Sequence, residues 1–589
     1  MNRYVEEFGL EVVFRPANPL SDSVPPVADA EPGRVVLEKG SVHAEGAYPL
    51  PCDIVLDRDV AIPMRDGNHL RGDVFRPAGE EPVPVIVVYT PYSRRGGWWN
   101  ANMDVKKFGV PAEWVSGLQS FEAPDPGYWC DHGYALAIVD AAGTSHSGGD
   151  EVFVGSASAR NAYDAIEWLA AQEWCTGKVG TAGISQLAMI QWAVAALQPP
   201  HLAAIAPTEG CIDVYREVSV RGGIPDTRFH KEDITDHIFG ENATEDLVAM
   251  VERYPLMNAY WADKRPALDR IEVPAYVVAS YTSPLHPHGT FEAFRTISST
   301  DKWLRVHNDQ EWIDGADPHH VADQRAFFDR YLKDLDNGWE DTPRVRLAVL
   351  DPGGTDRVGR AEEDWPLPRQ QWRTLYLDAA SGALADDKPS ESVAEYTGDD
   401  LRASVRFSTT FDEDTEITGY LNLHLWVEAA DADDMDLFAA VYKEDADGQL
   451  LHHITLRAPE ARAFVQSLEE DGKLPATLSY TGPVGRLRVS HRALDPGRST
   501  PSEPFLTHTS EELLTPGECV PVELSLWPTS MVVHPGERLI VEIAGHPVGP
   551  LAGHDLPGAD LHLKTRNRGA HRIRTGGEYD SHLLLPVVP

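Results

Sequence analysis

GKVGTAGISQLAMIQWAVAAL, residues 177–197, holds a short apolar strand, a glycine-bounded turn and a helix in immediate succession. Such a corner can carry a nucleophile elbow, where a serine sits at a strained bend. Its Oγ is exposed there, and the next backbone N–H faces a developing oxyanion. Strand and helix approach closely, so small residues are expected two before and two or three after the serine. Gly183 and Ala188 meet that demand around Ser185, whereas Leu187 breaks the strict G-x-S-x-G form. A bare G-x-S tripeptide also fits a structural turn; the strand–turn–helix setting favours a nucleophile.

Outward from this corner the texture repeats. PVPVIVVYTPY (82–92), YALAIVDAAG (134–143), HLAAIAPTEG (201–210), VPAYVVASY (273–281) and KWLRVH (302–307) are short continuous apolar runs, as buried central strands are. NAYDAIEWLAAQEW (161–174) has apolar residues at helical spacing. Strands alternating with helices predict an α/β fold with a parallel sheet covered on both faces. Before it, residues 53–78 alternate apolar and polar around a DG turn and predict antiparallel strands. Residues 1–50 read as an amino-terminal extension, and 51–210 with 271–340 as the α/β core. Residues 211–270 break the strand series as an insertion over the carboxyl ends of the strands, where open α/β sheets bind ligands. From 341 to 589, short alternating strands such as LNLHLWVEA (421–429) and ERLIVEIAG (537–545) predict an all-β sandwich or jelly roll.

Composition removes several function classes. The chain has 589 residues, 51 Lys and Arg against 92 Asp and Glu, and a formal net charge of −41. So acidic a surface repels phosphate backbones and anionic lipid heads, arguing against nucleic-acid and membrane partners. No apolar run is long enough to span a bilayer and no secretory signal is visible. Cys52, Cys130, Cys175, Cys211 and Cys519 are few and far apart, without zinc-like spacing. A cytoplasmic, reduced chain without metal or cofactor is the simplest expectation. No phosphate-cradling or dinucleotide glycine motif occurs, and Asp431–Asp436 reads as a solvated strand end rather than a Ca²⁺ loop.

The elbow, followed by Gln191 and Trp192, resembles that of the cocaine-esterase and X-prolyl-dipeptidyl-aminopeptidase type of serine hydrolase. TPYSR (90–94) is similar to a second motif of that family. DVYRE (213–217) with Gly222 and Gly223, FFDRYLKD (327–334), DWPLP (364–368), SHRALDPGRS (490–499) and the ending GGEYDSHLLLPVVP (576–589) match in order. The resemblance implies an α/β-hydrolase core, an inserted helical cap and a C-terminal all-β jelly-roll domain. It further implies an oxyanion hole from the Tyr92 hydroxyl and the Gln186 N–H, and an enzyme that often forms dimers.

One departure concerns the charge relay. Ser283, in SYTSPLHPHGT (280–290), stands where the family has its aspartate. A serine can orient an imidazole but cannot balance an imidazolium, and losing the carboxylate costs on the order of 10⁴-fold in turnover. Glu209, at the end of the preceding strand, is a candidate replacement, although a structural contact with the cap is its blander reading; Asp309 is another. For the base, His307 at a strand end is preferred, with His319 and His320 as alternatives and His286 and His288 in the preceding loop. Trp98 and Trp99 could line a pocket mouth. The expected activity is hydrolysis of an ester or amide of a small organic acid through an acyl-enzyme on Ser185. An acyltransferase or cyclase using the same elbow, and a decayed scaffold that only binds a small molecule, are the rival readings.

Overall fold

The structure is a computed structural model of the whole chain. It describes all residues except 24–26, 28, 96–108, 457–477 and 549–563, and except the side chains of 232 and 233. Trp98 and Trp99 lie outside the described residues.

Eleven strands form the main sheet: β1 Gly33–Leu37, β2 Ile54–Pro63, β3 His69–Pro77, β4 Val83–Thr90, β5 Ala135–Asp140, β6 Cys175–Ile184, β7 Leu202–Thr208, β8 Ala275–Ser280, β9 Lys302–His307, β10 Val345–Val349 and β11 Arg357–Glu362. Their order is β11-β10-β9-β8-β7-β6-β4-β5-β3-β2-β1. Strands β4 to β10 run parallel, and β1, β2, β3 and β11 are antiparallel at the two edges. Every residue of β5 and of β8 is buried, which explains why these runs lack alternation. Among the covering helices are α1 Ser156–Ala170, α2 Gln186–Ala195, α3 Pro287–Thr296, α4 Glu311–Ala316 and α5 Pro318–Leu332. All ten residues of α2 are buried, so apart from Gln186 and Gln191 it reads as apolar all round rather than amphipathic.

Two boundaries fall elsewhere than the texture suggests. Residues Val345–Val349 and Arg357–Glu362 extend the α/β sheet instead of opening the β domain. A strand at the rim alternates like a sandwich strand, so texture cannot separate the two. At the other end, Gly33–Leu37 is already part of the main sheet, while Asn2–Val5 and Leu10–Pro16 form a small sheet with Ala243–Glu245 of the insertion. The insertion is a string of short turns and helices, Leu247–Arg253 being seven residues long. A twelve-stranded β assembly follows, with a separate core around Leu375, Phe407, Leu423, Val541 and Leu583. Within Asp431–Asp436, Asp434 and Asp436 are buried and paired to Arg566 and Arg488, so this part of the run is structural rather than solvated. Among the described residues no helix is long and apolar enough to cross a membrane.

Candidate active site

Ser185 sits where β6 meets α2, half-buried, with φ 57° and ψ −119°. A non-glycine residue held at positive φ is strained and persists only where its surroundings over-determine it. Here the Ser185 N–H donates to Thr208 O (3.0 Å) and the Ile184 N–H to Glu122 O (3.2 Å). Gly183 has φ +140°, and a Cβ on it would lie 2.6 Å from Leu187 Cβ. A Cβ on Gly210 would lie 2.9 Å from Ala188 Cβ, so the close approach is carried by the glycine at the end of the neighbouring strand. This accounts for an alanine at position 188. Gln191 stitches the corner: its Nε2 donates to Leu187 O (3.0 Å), and its Oε1 accepts from Thr181 Oγ1 (3.1 Å) and Ala206 N (3.2 Å).

Tyr92 is buried at the end of β4, its hydroxyl donating to Gln186 Oε1 at 3.3 Å and its ring packed edge-on against Phe121. The Tyr92 loop is anchored two residues on by Arg94, whose buried guanidinium pairs with Asp59, Asp73 and Asp140. The Gln186 N–H lies in the first turn of α2, where backbone donors have no intrahelical acceptor.

The imidazole beside Ser185 is that of His286, not His307. His286 Nε2 lies 3.2 Å from Ser185 Oγ. Its Nδ1 faces Ser283 Oγ at 3.1 Å and Glu209 Oε2 at 3.4 Å. The other Glu209 oxygen, Oε1, is 2.7 Å from His307 Nε2. Asp314 then closes the row: it is 3.9 Å from His307 Nδ1, 2.8 Å from His320 Nδ1, and paired through both oxygens with Arg305. The sequence candidates therefore divide. Ser185, Glu209 and Ser283 converge on His286; His307 stands one carboxylate behind; His320 turns to Asp314, and His319 is exposed. Asp309 is buried in the loop beyond His307. His288 contacts Glu217 at 3.2 Å. The signal for His286 was present in Ser283-Pro-Leu-His286: a hydroxyl three residues ahead in the same turn also accepts the His286 N–H (3.3 Å).

The electrostatics follow from this row. Burial alone would raise the Glu209 carboxyl, but hydrogen bonds from His286 and His307 bring it down to about 2. Burial disfavours the charged form of His286, yet its bond to Glu209 and the charges of Glu311 and Glu209 more than offset this, so its pKa is raised. Burial and the Glu209 charge push Glu311 up to about 7. Burial and Glu311 hold Glu122, whose carbonyl braces the elbow, well above the usual carboxylate range. Glu209, His286 and Glu311 each bring one ligand-type atom within 4.8 Å of the others, the one such group among the described residues.

Residues 66–239 match the X-Pro dipeptidyl-peptidase (S15) family, and residues 337–584 match the X-Pro dipeptidyl-peptidase C-terminal non-catalytic domain. The crystal structure of a CocE/NonD family hydrolase from Staphylococcus aureus shares 34% identity, with a TM-score of 0.84 over 95% of this chain and 98% of that one. The chain belongs to the cocaine esterase and X-Pro dipeptidyl-peptidase family. The cocaine esterase of Rhodococcus sp. (strain MB1 Bresler) is 26% identical over 90% of this chain and 98% of its own length. An α-amino-acid ester hydrolase shares the fold at 16% identity, with a TM-score of 0.64. This family member is thus a serine hydrolase acting on ester or amide bonds, built as an α/β hydrolase with a mostly β C-terminal domain.

Proposed function

We propose that the chain hydrolyses an ester or amide of a small organic acid through an acyl-enzyme on Ser185, with His286 as the general base. The observation that carries this reading is the 3.2 Å contact between Ser185 Oγ and His286 Nε2 at a strained elbow. In the first step Oγ attacks the carbonyl carbon while His286 Nε2 takes the hydroxyl proton. The Gln186 N–H and the Tyr92 hydroxyl, which turns from its resting contact with Gln186 Oε1, supply an oxyanion hole as charge develops on the oxygen. His286 then passes the proton to the leaving group, and water clears the acyl-enzyme by the reverse route. Glu209 balances the imidazolium in place of the aspartate that Ser283 displaces, while Ser283 Oγ fixes the ring. The triad is atypical in the source of its carboxylate, not in its charge, which disfavours a decayed scaffold.

A fluorophosphonate probe followed by intact-mass measurement tests the reading. One adduct is expected on the native chain and none on Ser185→Ala. An unlabelled native protein, shown to be folded, would sink it.

The pH profile offers a second check. His286 must be neutral to act as base, and its raised pKa moves the acid limb of kcat/KM above the ordinary imidazole value of about 6.5. Because Glu311 contributes to that rise, Glu311→Gln is expected to shift the limb to lower pH. A limb that stays in place would remove Glu311 from the electrostatics of the base.

A further inference from the structure

The insertion segment that begins with DVYRE crosses from the nucleophile region to the β domain. At one end Glu217 Oε1 is 3.2 Å from His288 Nδ1, and its Oε2 accepts the Ile212 N–H at 3.2 Å. At the other end Gly222 and Gly223 press on the β domain. Their φ values are +61° and +85°, and a Cβ would lie 1.9 Å from Arg486 O on the first and 2.5 Å from His491 Cγ on the second. These contacts explain both glycines and fix the backbone of Arg221 immediately before them.

Arg221 is half-buried, and its guanidinium lies over the Trp527 ring, 3.4 Å from the centroid. Its side chain donates, among the described residues, to one acceptor, Val484 O. Among the described residues no carboxylate lies within ion-pair distance of it, although the neighbouring Arg486 pairs with Asp226. Burial and the neighbouring Arg486 lower its pKa well below the guanidinium range, outweighing the charges of Glu217 and Asp226. Trp527 is also a neighbour of His288, with ring centroids 6.1 Å apart, and the His288 side chain is 31% exposed. His288 follows His286 by two residues at the start of α3. Arg221, Trp527 and His288 thus form a cluster joined to the segment that carries His286.

Resting on the reading of Ser185 given above, we infer that this cluster binds a carboxylate carried by the substrate, so that the enzyme prefers esters or amides bearing a remote carboxylate. A guanidinium over an indole, with Nη2 donating to Val484 O, keeps further N–H donors for the two-pronged bonding that a carboxylate matches. A single guanidinium near Glu217 and Asp226, in a chain of net charge −41, suits a monoanion better than a phosphate dianion. His288, held by Glu217, neighbours the same indole.

Two matched ester pairs test the inference on the full-length enzyme. One carries the charge on the acyl side, mono-4-nitrophenyl glutarate against 4-nitrophenyl valerate. The other carries it on the leaving group, the acetyl ester of 4-hydroxybenzoate against that of its methyl ester. In at least one pair the ratio of kcat/KM for the anionic over the neutral ester is expected to fall about tenfold or more in Arg221→Gln, through KM. Arg221→Lys, which keeps the charge without the stacked fork, is expected to fall in between; it carries the test if the glutamine variant melts early. Ratios within twofold of the native enzyme in both pairs would overturn the inference. Calorimetric binding of glutarate and of benzoate to Ser185→Ala, with and without Arg221→Gln, separates the two readings. Binding lost with Arg221 upholds the anion site even if Ser185 proves unreactive. Equal or absent binding in both proteins overturns the site while leaving the hydrolase untouched.

Discussion

His286→Ala is expected to lower kcat/KM by roughly 10⁴- to 10⁶-fold, the range seen when the base of a serine hydrolase is removed. His307→Ala is expected to cost far less, on the order of 10- to 100-fold, as losses of an outer hydrogen-bonding partner do. The asymmetry follows from which atom each ring faces. His286 Nε2 meets Ser185 Oγ, whereas His307 Nε2 meets Glu209 Oε1, so His307 reaches the serine only through a carboxylate and a second imidazole. Removing His307 deprives Glu209 of one of its two partners but leaves the ring on Ser185 in place. Steady-state kinetics on any ester the native enzyme turns over will decide between them, with fluorophosphonate labelling rates as a check independent of product release. If His307→Ala is the inactive variant and His286→Ala is tolerated, the base is His307 and the resting geometry is not the reactive one.

Why the two histidines were hard to separate in the sequence is a matter of topology. Ser280 and His307 are register partners at the ends of adjacent parallel strands, β8 and β9, so both loops rise at the same edge of the sheet. Position at a strand end singles out His307, and that position is real. It cannot show that the loop after β8 folds back at Ser283 so that a side chain three residues on reaches the elbow. The elbow was more legible. Its demands are local: a glycine before the serine, a small residue after it, and a buried helix leaving at once. The compensating space at Gly210 was not legible, because it comes from the next strand rather than from the motif. The same contrast holds for the fold. Central strands announce themselves as unbroken apolar runs because both faces are covered, whereas β10 and β11, at the rim, share the alternation of the β domain. Glu209 is a third case. Nothing in APTEG marks it as more than a strand end, and only the convergence of two imidazoles on its two oxygens sets it apart.

Glu209→Gln is expected to reduce turnover by about 10⁴-fold while leaving the fold intact, as when the carboxylate of another triad is made an amide. Two physical effects add. The amide cannot balance the imidazolium that His286 becomes during attack. Its NH₂ can also face Nδ1, where only an acceptor holds the ring in the tautomer that presents a free Nε2 lone pair to Ser185. Glu209 is ionised throughout the working range, with its carboxyl brought down to about 2, so the native enzyme should show no acid limb from this residue. In the variant, the bond and the charge that help raise His286 are gone. The limb due to the base should therefore move to lower pH even as the plateau drops. That paired result, a lower plateau with a limb shifted toward acid, is what a purely structural role for Glu209 would not produce. Glu209→Asp keeps the charge on a shorter arm, and recovery of part of the rate would show that charge matters at this position. If Glu209→Gln instead keeps its rate within tenfold, Ser283 alone suffices to orient His286. The fold would then have dispensed with the carboxylate altogether.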